Sequence, residues 1–406
     1  MRAGLVLLAI SLLAFSVTRV QAFDIAFSGY ADARLIAPTG QTGWVQGGLG
    51  KFRFGSGDGN FRFVEAVGQA DVGLDDLAKG FSATFVGRLE PTDSSGLDFL
   101  EAYTRYAPVS DGPVSFSVKT GAFFPSISLE NDDMGWASPY TLTPSAINSW
   151  IGEELRTIGS EATLRWDTKG LGTLSAIGAI ICCNDEAGIV MADRGWAMDD
   201  RPSGLFERIR LPDATARLFH IPTPNRTGLF DEIDGNTGWY GGADWQLADI
   251  GKISVLRYDN GGDPAARTTR DTAWETKFWS FGARTQIAGI TLMAQQLSGY
   301  TSVVAGGAEI ATKFQSGFLL ASYDLEDWRF SAREDLFQTR HLGATPSLFS
   351  EDGNAFTAAV SWTGIQNLRL TGEVVAMNSR RPEYALDGLS AQLSGTQSQF
   401  SVRYFF

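Results

Sequence analysis

The chain has 406 residues, rich in glycine (46) and phenylalanine (27), with 14 prolines, two histidines, two cysteines and a formal net charge of −13. Two cysteines exclude a disulfide-stapled scaffold, and the lack of any basic block or aromatic-basic cluster excludes a nucleic-acid partner. Beyond the N-terminal segment no apolar run reaches the length of a transmembrane helix, so the chain is either soluble or crosses a membrane as strands.

Met1-Arg2, an apolar run from Leu5 to Phe15 and the small-residue pattern Val20-Gln21-Ala22 come first. A basic start, a short apolar core and a cleavage pattern, in that order, read as a secretory signal peptide over residues 1–22, removed before Phe23. The first alternating segment is 23–36. Ile25, Phe27, Ala31, Ala33 and Leu35 share one face, and Ser28, Tyr30, Asp32 and Arg34 the other. A period of two with one apolar and one polar face marks a strand between two environments. Next come 61–74, with a phase break near Val64 that points to a bulge, then 80–90, 97–107 and 113–122. After a gap follow 155–167 and 171–181, and after a second gap 237–247, 251–259, 273–287, 289–300, 309–324 and 328–338. The segments 354–363, 367–378 and 396–406 bring the count to sixteen.

The links between segments are sorted by length. Short links at 75–79, 108–112, 168–170, 248–250, 288, 325–327 and 364–366 alternate with longer ones at 37–60, 123–154, 182–236, 260–272, 301–308, 341–353 and 379–395. The link 91–96 is the one short member of the second set. A soluble sandwich has no reason to sort its loops this way. The expected fold is therefore all-β: a transmembrane antiparallel up-and-down barrel over residues 23–406, with short periplasmic turns and long external loops. The insert 182–236 carries Pro202, Pro212, Pro222 and Pro224 and reads as a folded external loop.

The C-terminus sharpens the reading. Phe400, Val402, Tyr404 and Phe406 fall on one face of the last segment, and Gln399, Ser401 and Arg403 on the other. An alternating strand ending in Tyr404 and Phe406 resembles the assembly signal of bacterial outer-membrane proteins, which is read by the outer-membrane assembly machinery. With the signal peptide, strand count and loop alternation, the whole mature chain resembles a Gram-negative porin of the sixteen-stranded type. The likeness is an architectural pattern, without a subfamily motif. The low lysine content departs from the lysine-rich wall of phosphate-selective porins. The resemblance implies an integral outer-membrane protein in contact with lipid and passive diffusion of small hydrophilic solutes or ions. It also implies a homotrimer, no cofactor or metal, and no catalysis.

In porins of this type the loop after the fifth strand folds inward and narrows the lumen. Here that loop is 123–154, with Glu130, Asp132, Asp133, Glu153 and Glu154, no lysine or arginine, and the aromatics Trp136, Tyr140 and Trp150. It is the expected constriction. Arg34, Arg62, Arg88, Glu101, Arg105 and Arg165 point inward by alternation and form the expected pore wall. Opposed acidic and basic walls make a transverse field that favours polar solutes and sets ion preference. Tyr240, Asp244, Arg284, Arg329, Arg333, Asp335, Arg369, Glu373 and Arg403 are also inward and read as ladders of paired charge that keep the wall rigid.

The rival from another class is a surface receptor or adhesin that binds through 182–236. A hydrolase is poorly supported, since His220 and His341 fall in expected loops without a serine-carboxylate context. Asp231, Glu232 and Asp234, or Asp199 and Asp200, read as charged loops rather than a calcium site. Cys182 and Cys183 are adjacent; two free thiols are the favoured reading, and a vicinal disulfide formed in the periplasm the other.

Overall fold

The computed structural model describes residues 24–75, 78–91, 96–212, 226–248, 250–342 and 350–406. The expected signal peptide and His220 lie outside them. Sixteen strands close into one antiparallel barrel. In chain order these are β1 Asp24–Pro38, β2 Asn60–Gly73, β3 Phe81–Leu89, β4 Leu97–Tyr106, β5 Val114–Phe123, β6 Thr157–Asp167 and β7 Thr173–Cys182. After a long connection come β10 Gly238–Leu247, β11 Gly251–Asp259, β12 Glu275–Ile287, β13 Ile290–Ala305 and β14 Ala308–Leu325. The last four are β15 Trp328–Leu342, β16 Glu351–Ile365, β17 Leu368–Arg380 and β18 Gln392–Phe405. The connection between β7 and β10 carries a small hairpin of its own, β8 Arg208–Arg210 with β9 Arg226–Gly228.

Every expected segment corresponds to a barrel strand, and the bulge at Val64 is present. The register of β1 on β2 slips there, Asp32 facing Glu65 while Ala33 faces Phe63. One connection is shorter than expected. Where 301–308 reads as a loop, β13 and β14 run on into a two-residue turn, Gly306-Gly307, with φ of 61° and 81°. Two consecutive left-handed residues form a tight hairpin turn whose twist matches the strands, and glycine adopts it without strain. A second difference is at His341, which lies in β15 rather than in a loop.

The outer face is apolar. Phe27, Phe61, Phe85, Ile180, Leu319 and Leu336 point outward and are between 44% and 68% exposed. Aromatic residues ring the end that carries both termini, among them Trp166, Tyr323, Trp328 and Tyr404. A belt of this size demands a non-aqueous solvent, and a closed barrel is the β-structure that can enter one because no strand edge is left unpaired.

The inner face is polar only in part. On β1, Asp32 and Arg34 are fully buried inside the barrel. From β12 to β17, however, Phe278, Leu297, Phe314, Phe318, Phe337 and Val375 point inward and are almost completely buried. Lumen positions were expected to be polar. They are not here because chain, rather than water, fills this part of the lumen.

The ring closes where β1 meets β18. Tyr30 to Pro38 pair with Phe405 to Gln397, and Gly29 and Phe406 exchange two backbone hydrogen bonds of 3.0 Å each. A Cβ on Gly29 would lie 2.5 Å from the Phe406 ring. Gly29→Val forces that ring off the seam, an overpacking cost of about 1–3 kcal/mol. The expected outcome is a smaller heat-modifiable, folded fraction on unheated gels than for wild type.

Candidate functional site

Three connections turn into the barrel and pack on one another: 42–55, 124–156 and 184–205. The second leaves β5 at Phe123 and crosses to the opposite wall. The Gln295 side chain donates to the Ile127 carbonyl at 3.1 Å, and Leu129 fills the space that a side chain at Gly282 would need. Ser128 Oγ accepts from the Glu130 and Asn131 amides, which turns the chain back. The loop then enters helix α1, Ala146–Glu154, capped by Ser145, whose hydroxyl accepts from the Asn148 amide at 3.3 Å. Every residue of α1 is buried.

Carboxylates of the barrel wall hold the start of this helix. Glu373 on β17 accepts from the Leu142 and Thr143 amides, and Asp335 on β15 accepts from the Ala146 amide at 3.1 Å. Arg333 lies between them, fully buried, donating to Asp335 at 2.7 Å and to Glu130 and Thr143 O at 2.5 and 2.9 Å. Glu130 also accepts from the Ser145 amide and the Asn148 side chain. Negative charge at a helix N-terminus is favoured by the unpaired amides and the helix dipole. Taken from water, these charges are costly unless each finds a partner, and each one does.

The third segment closes over α1. Glu154 accepts from the Gly188 and Val190 amides at 2.8 and 2.9 Å, at the start of the short helix α2, Ile189–Asp193. Glu153 takes both guanidinium nitrogens of Arg194. Trp150 packs edge-on against Trp196 and Phe278. Lys51, from the first connection, donates to the Arg194 carbonyl at 2.6 Å and pairs with Glu351 at 2.8 Å. Asp200 pairs with Arg34 at 2.5 Å and with Arg53 at 3.2 Å. Around Glu90 the guanidiniums of Arg53, Arg201 and Arg88 gather at 2.9, 2.9 and 3.4 Å. Burial pushes the Glu90 carboxyl up, but these three cations pull it down to about 2.

The expected constriction acids therefore divide. Glu130, Glu153 and Glu154 are buried in packed chain and face no water. Asp132 is exposed and Asp133 half-exposed at the turn of the loop, paired with Arg284 of β12 at 3.4 Å and Arg369 of β17 at 3.3 Å. The expected wall residues divide likewise. Arg34 and Arg88 are buried in ion pairs, Arg62 is half-exposed beside Asp58, and Glu101 accepts from the Phe124 amide at 3.1 Å. Arg105 and Arg165 are exposed on a cavity of about 560 Å³. Lys119, Asp244 and Lys252 share that cavity, which lies beneath Ile127 and Leu129 toward the end carrying the termini. The ion pairs on this cavity, Lys119 with Glu161 at 3.3 Å and Lys252 with Asp244 at 3.4 Å, are internal to the wall.

The insert 182–236 was expected to stand outside. Instead, from Asn184 to Leu205 it is buried inside the barrel apart from Ala192, Asp193 and Asp200. The signal was present in its apolar content, Ile189, Val190, Met191, Trp196 and Met198, too much for a solvated loop. Cys182 and Cys183 are joined as a vicinal disulfide at the end of β7, not two free thiols. Asp185, Glu232 and Asp234 bring their carboxylates within 4.8 Å of one another, but backbone amides of Ile233 and Asp234 already occupy Asp185. Asp231 pairs instead with Arg208 at 3.2 Å.

Two outcomes follow from this network. Arg333→Met leaves Glu130 and Asp335 buried without a cation, at a cost of about 3–5 kcal/mol. Chymotrypsin is then expected to cut at Trp136 or Tyr140 in the folded barrel, where wild type resists. Second, burial pushes Glu154 from 4.5 up to about 7, and burial together with Glu153 pushes Asp199 from 3.8 to about 8. A raised carboxyl favours the packed state while protonated, so its contribution falls as pH rises from the open-state value to the packed-state value. Amide protection over 146–156 and 187–199, corrected for intrinsic exchange, is expected to drop between about pH 4 and 8. Glu154→Gln flattens the Glu154 part of that slope.

No protein-family model matches the chain, and no curated protein matches its sequence. Solved structures do match in shape. OmpT, an outer membrane protein of Vibrio cholerae, aligns at a TM-score of 0.56 and 8% identity, covering 97% of this chain and 100% of that one. The outer membrane channel DcaP of Acinetobacter baumannii aligns at 0.56 and 10% identity over 96% and 99%. An anion-selective porin from Comamonas acidovorans aligns at 0.51 and 11% identity over 95% and 100%. The chain thus has the closed sixteen-stranded barrel fold found in Gram-negative outer-membrane porins and channels.

Proposed function

We propose that the chain is an outer-membrane channel for small hydrophilic solutes, set with both termini on the periplasmic side. The observation that carries this is a barrel apolar on its outside whose lumen keeps a charged, water-exposed cavity beneath an inward-folded loop. The fold it shares with outer-membrane proteins and channels supports the same reading. Asp132 and Asp133 on the loop, facing Arg284, Arg329 and Arg369 on the wall, supply the transverse field, and Arg105 and Arg165 line the periplasmic vestibule. Phe406 serves as the terminal residue that the assembly machinery engages. A surface receptor built on 182–236 is disfavoured, because residues 184–205 of that segment are packed in the lumen.

Because the inner segments fill much of the cross-section, the channel is narrow and passes solutes beside them. Purified protein in a planar bilayer is expected to give small stepwise conductances. A folded, heat-modifiable barrel without conductance contradicts the proposal. Replacing 187–204 with a short Gly-Ser linker is expected to raise the unit conductance several-fold. An unchanged value would mean that this segment lies off the solute path.

A further inference from the structure

Beyond Leu205 the insert forms the hairpin of β8 and β9. Arg208-Ile209-Arg210 pairs there with Arg226-Thr227-Gly228, Ile209 opposite Thr227 and Arg210 opposite Arg226. Ile209 is buried in a cluster with Trp44, Val190, Leu211 and Leu229, and the Thr227 hydroxyl donates to Glu186 at 2.6 Å. These contacts fix one face of the hairpin and leave all three arginines on the other. Like charges directly opposite one another destabilise an antiparallel pair.

The arginine face borders a cavity of about 460 Å³ at the end of the barrel away from the termini. Arg62, near the start of β2, lines it from the wall, with its guanidinium over the Phe54 ring at 5.5 Å. Carboxylates do not balance these cations. Glu90 and Glu207, the two that line the cavity, are already held by Arg53, Arg88 and Arg201. Arg208 reaches Asp231 at 3.2 Å, and Arg62 reaches Asp58 at 3.4 Å. Both of those carboxylates also accept backbone amides, from Gly228 and Gly55. Arg226 has no carboxylate partner among the described residues, and donates to the Arg208 carbonyl at 3.5 Å.

Guanidiniums converging on one space present fixed N–H donors to the oxygens of an anion. We propose that this cavity binds a phosphate monoester, its phosphoryl oxygens held by Arg62, Arg208 and Arg226. Donors arriving from three strands suit a tetrahedral group better than a flat one. The doubly charged group offsets the opposition of Arg210 and Arg226. A volume of about 460 Å³ lies in the range of small-molecule pockets and leaves room for the organic part of the ester. Two sources carry this group: a soluble sugar phosphate, and the phosphate of an outer-leaflet glycolipid. The second is within reach because Phe63, which borders the cavity, is 41% exposed on the outer face. The site is independent of whether the barrel conducts.

The test is isothermal titration calorimetry on refolded protein in detergent, with heat-modifiability reporting folding. The probes are glucose 6-phosphate, glucose, and diphosphorylated lipid A in the same detergent. Wild type is expected to bind at least one phosphate probe saturably and not to bind glucose. Arg208→Gln combined with Arg226→Gln is expected to weaken that binding about ten-fold or more, and Arg62→Gln to weaken it from the other side. Binding of glucose 6-phosphate identifies a solute site, and binding of lipid A alone a headgroup site; both uphold the proposal. Binding of neither phosphate probe overturns it, as does binding that the arginine variants leave unchanged. If the variants fail to fold, amide exchange on wild type decides. The phosphate probe is expected to slow exchange over 208–210 and 226–228, and unchanged exchange there overturns the site.

Discussion

Buried ion pairs between the wall and the inward-folded connections determine what kind of barrel this is. Arg333, fixed between Asp335 and Glu130, stands where the strand lattice meets the first inner helix. Glu153 with Arg194, Lys51 with Glu351, and Asp200 with Arg34 repeat the arrangement for the other segments. Each of these charges is too costly to leave alone away from water, so the wall pairs fix loops against the strands, and Glu153 with Arg194 fixes one inner segment against another. The geometry is specified by charge, and the apolar contacts of Trp150, Trp196 and Phe314 then fill the space it defines. A lumen that would otherwise hold water holds a second, internal core.

That internal core reconciles two requirements. A wide barrel satisfies all its backbone hydrogen bonds in the sheet, but its bore grows with strand number. Folding connections inward reduces the bore without changing the wall. The charges that stay wet, Asp132 and Asp133 against Arg284, Arg329 and Arg369, and Arg105 and Arg165 below, are the ones a solute would meet in the proposed channel.

Much of the barrel was legible because its rules are local. A period of two identifies each strand, and a short turn needs only a few polar or glycine residues, so all sixteen strands follow from sequence. Gly306-Gly307 was missed because long strands that rise clear of the apolar belt lose the alternating signal, as Gln315 and Gln338 do. The site was less legible. Alternation says which residues point inward, and it placed Arg333, Asp335 and Glu373 correctly on the inner face. It does not say what meets them there. Arg34 and Arg105 carry the same pattern in sequence, yet one is buried against Asp200 and the other is wet. Only the long-range packing of the inner segments separates them. Phe278, Phe314 and Phe337, apolar at lumen positions, were the sequence's indication that something packs inside.

The central claim is that packed chain, not open water, fills much of the bore. Polymer exclusion tests it most directly: single-channel conductance is recorded with neutral polyethylene glycols of graded size on both sides. If the inner segments restrict the path, only the smallest polymers enter and depress the conductance. If mid-sized polymers that fit an unobstructed sixteen-stranded barrel depress it too, the lumen is open and the account is wrong.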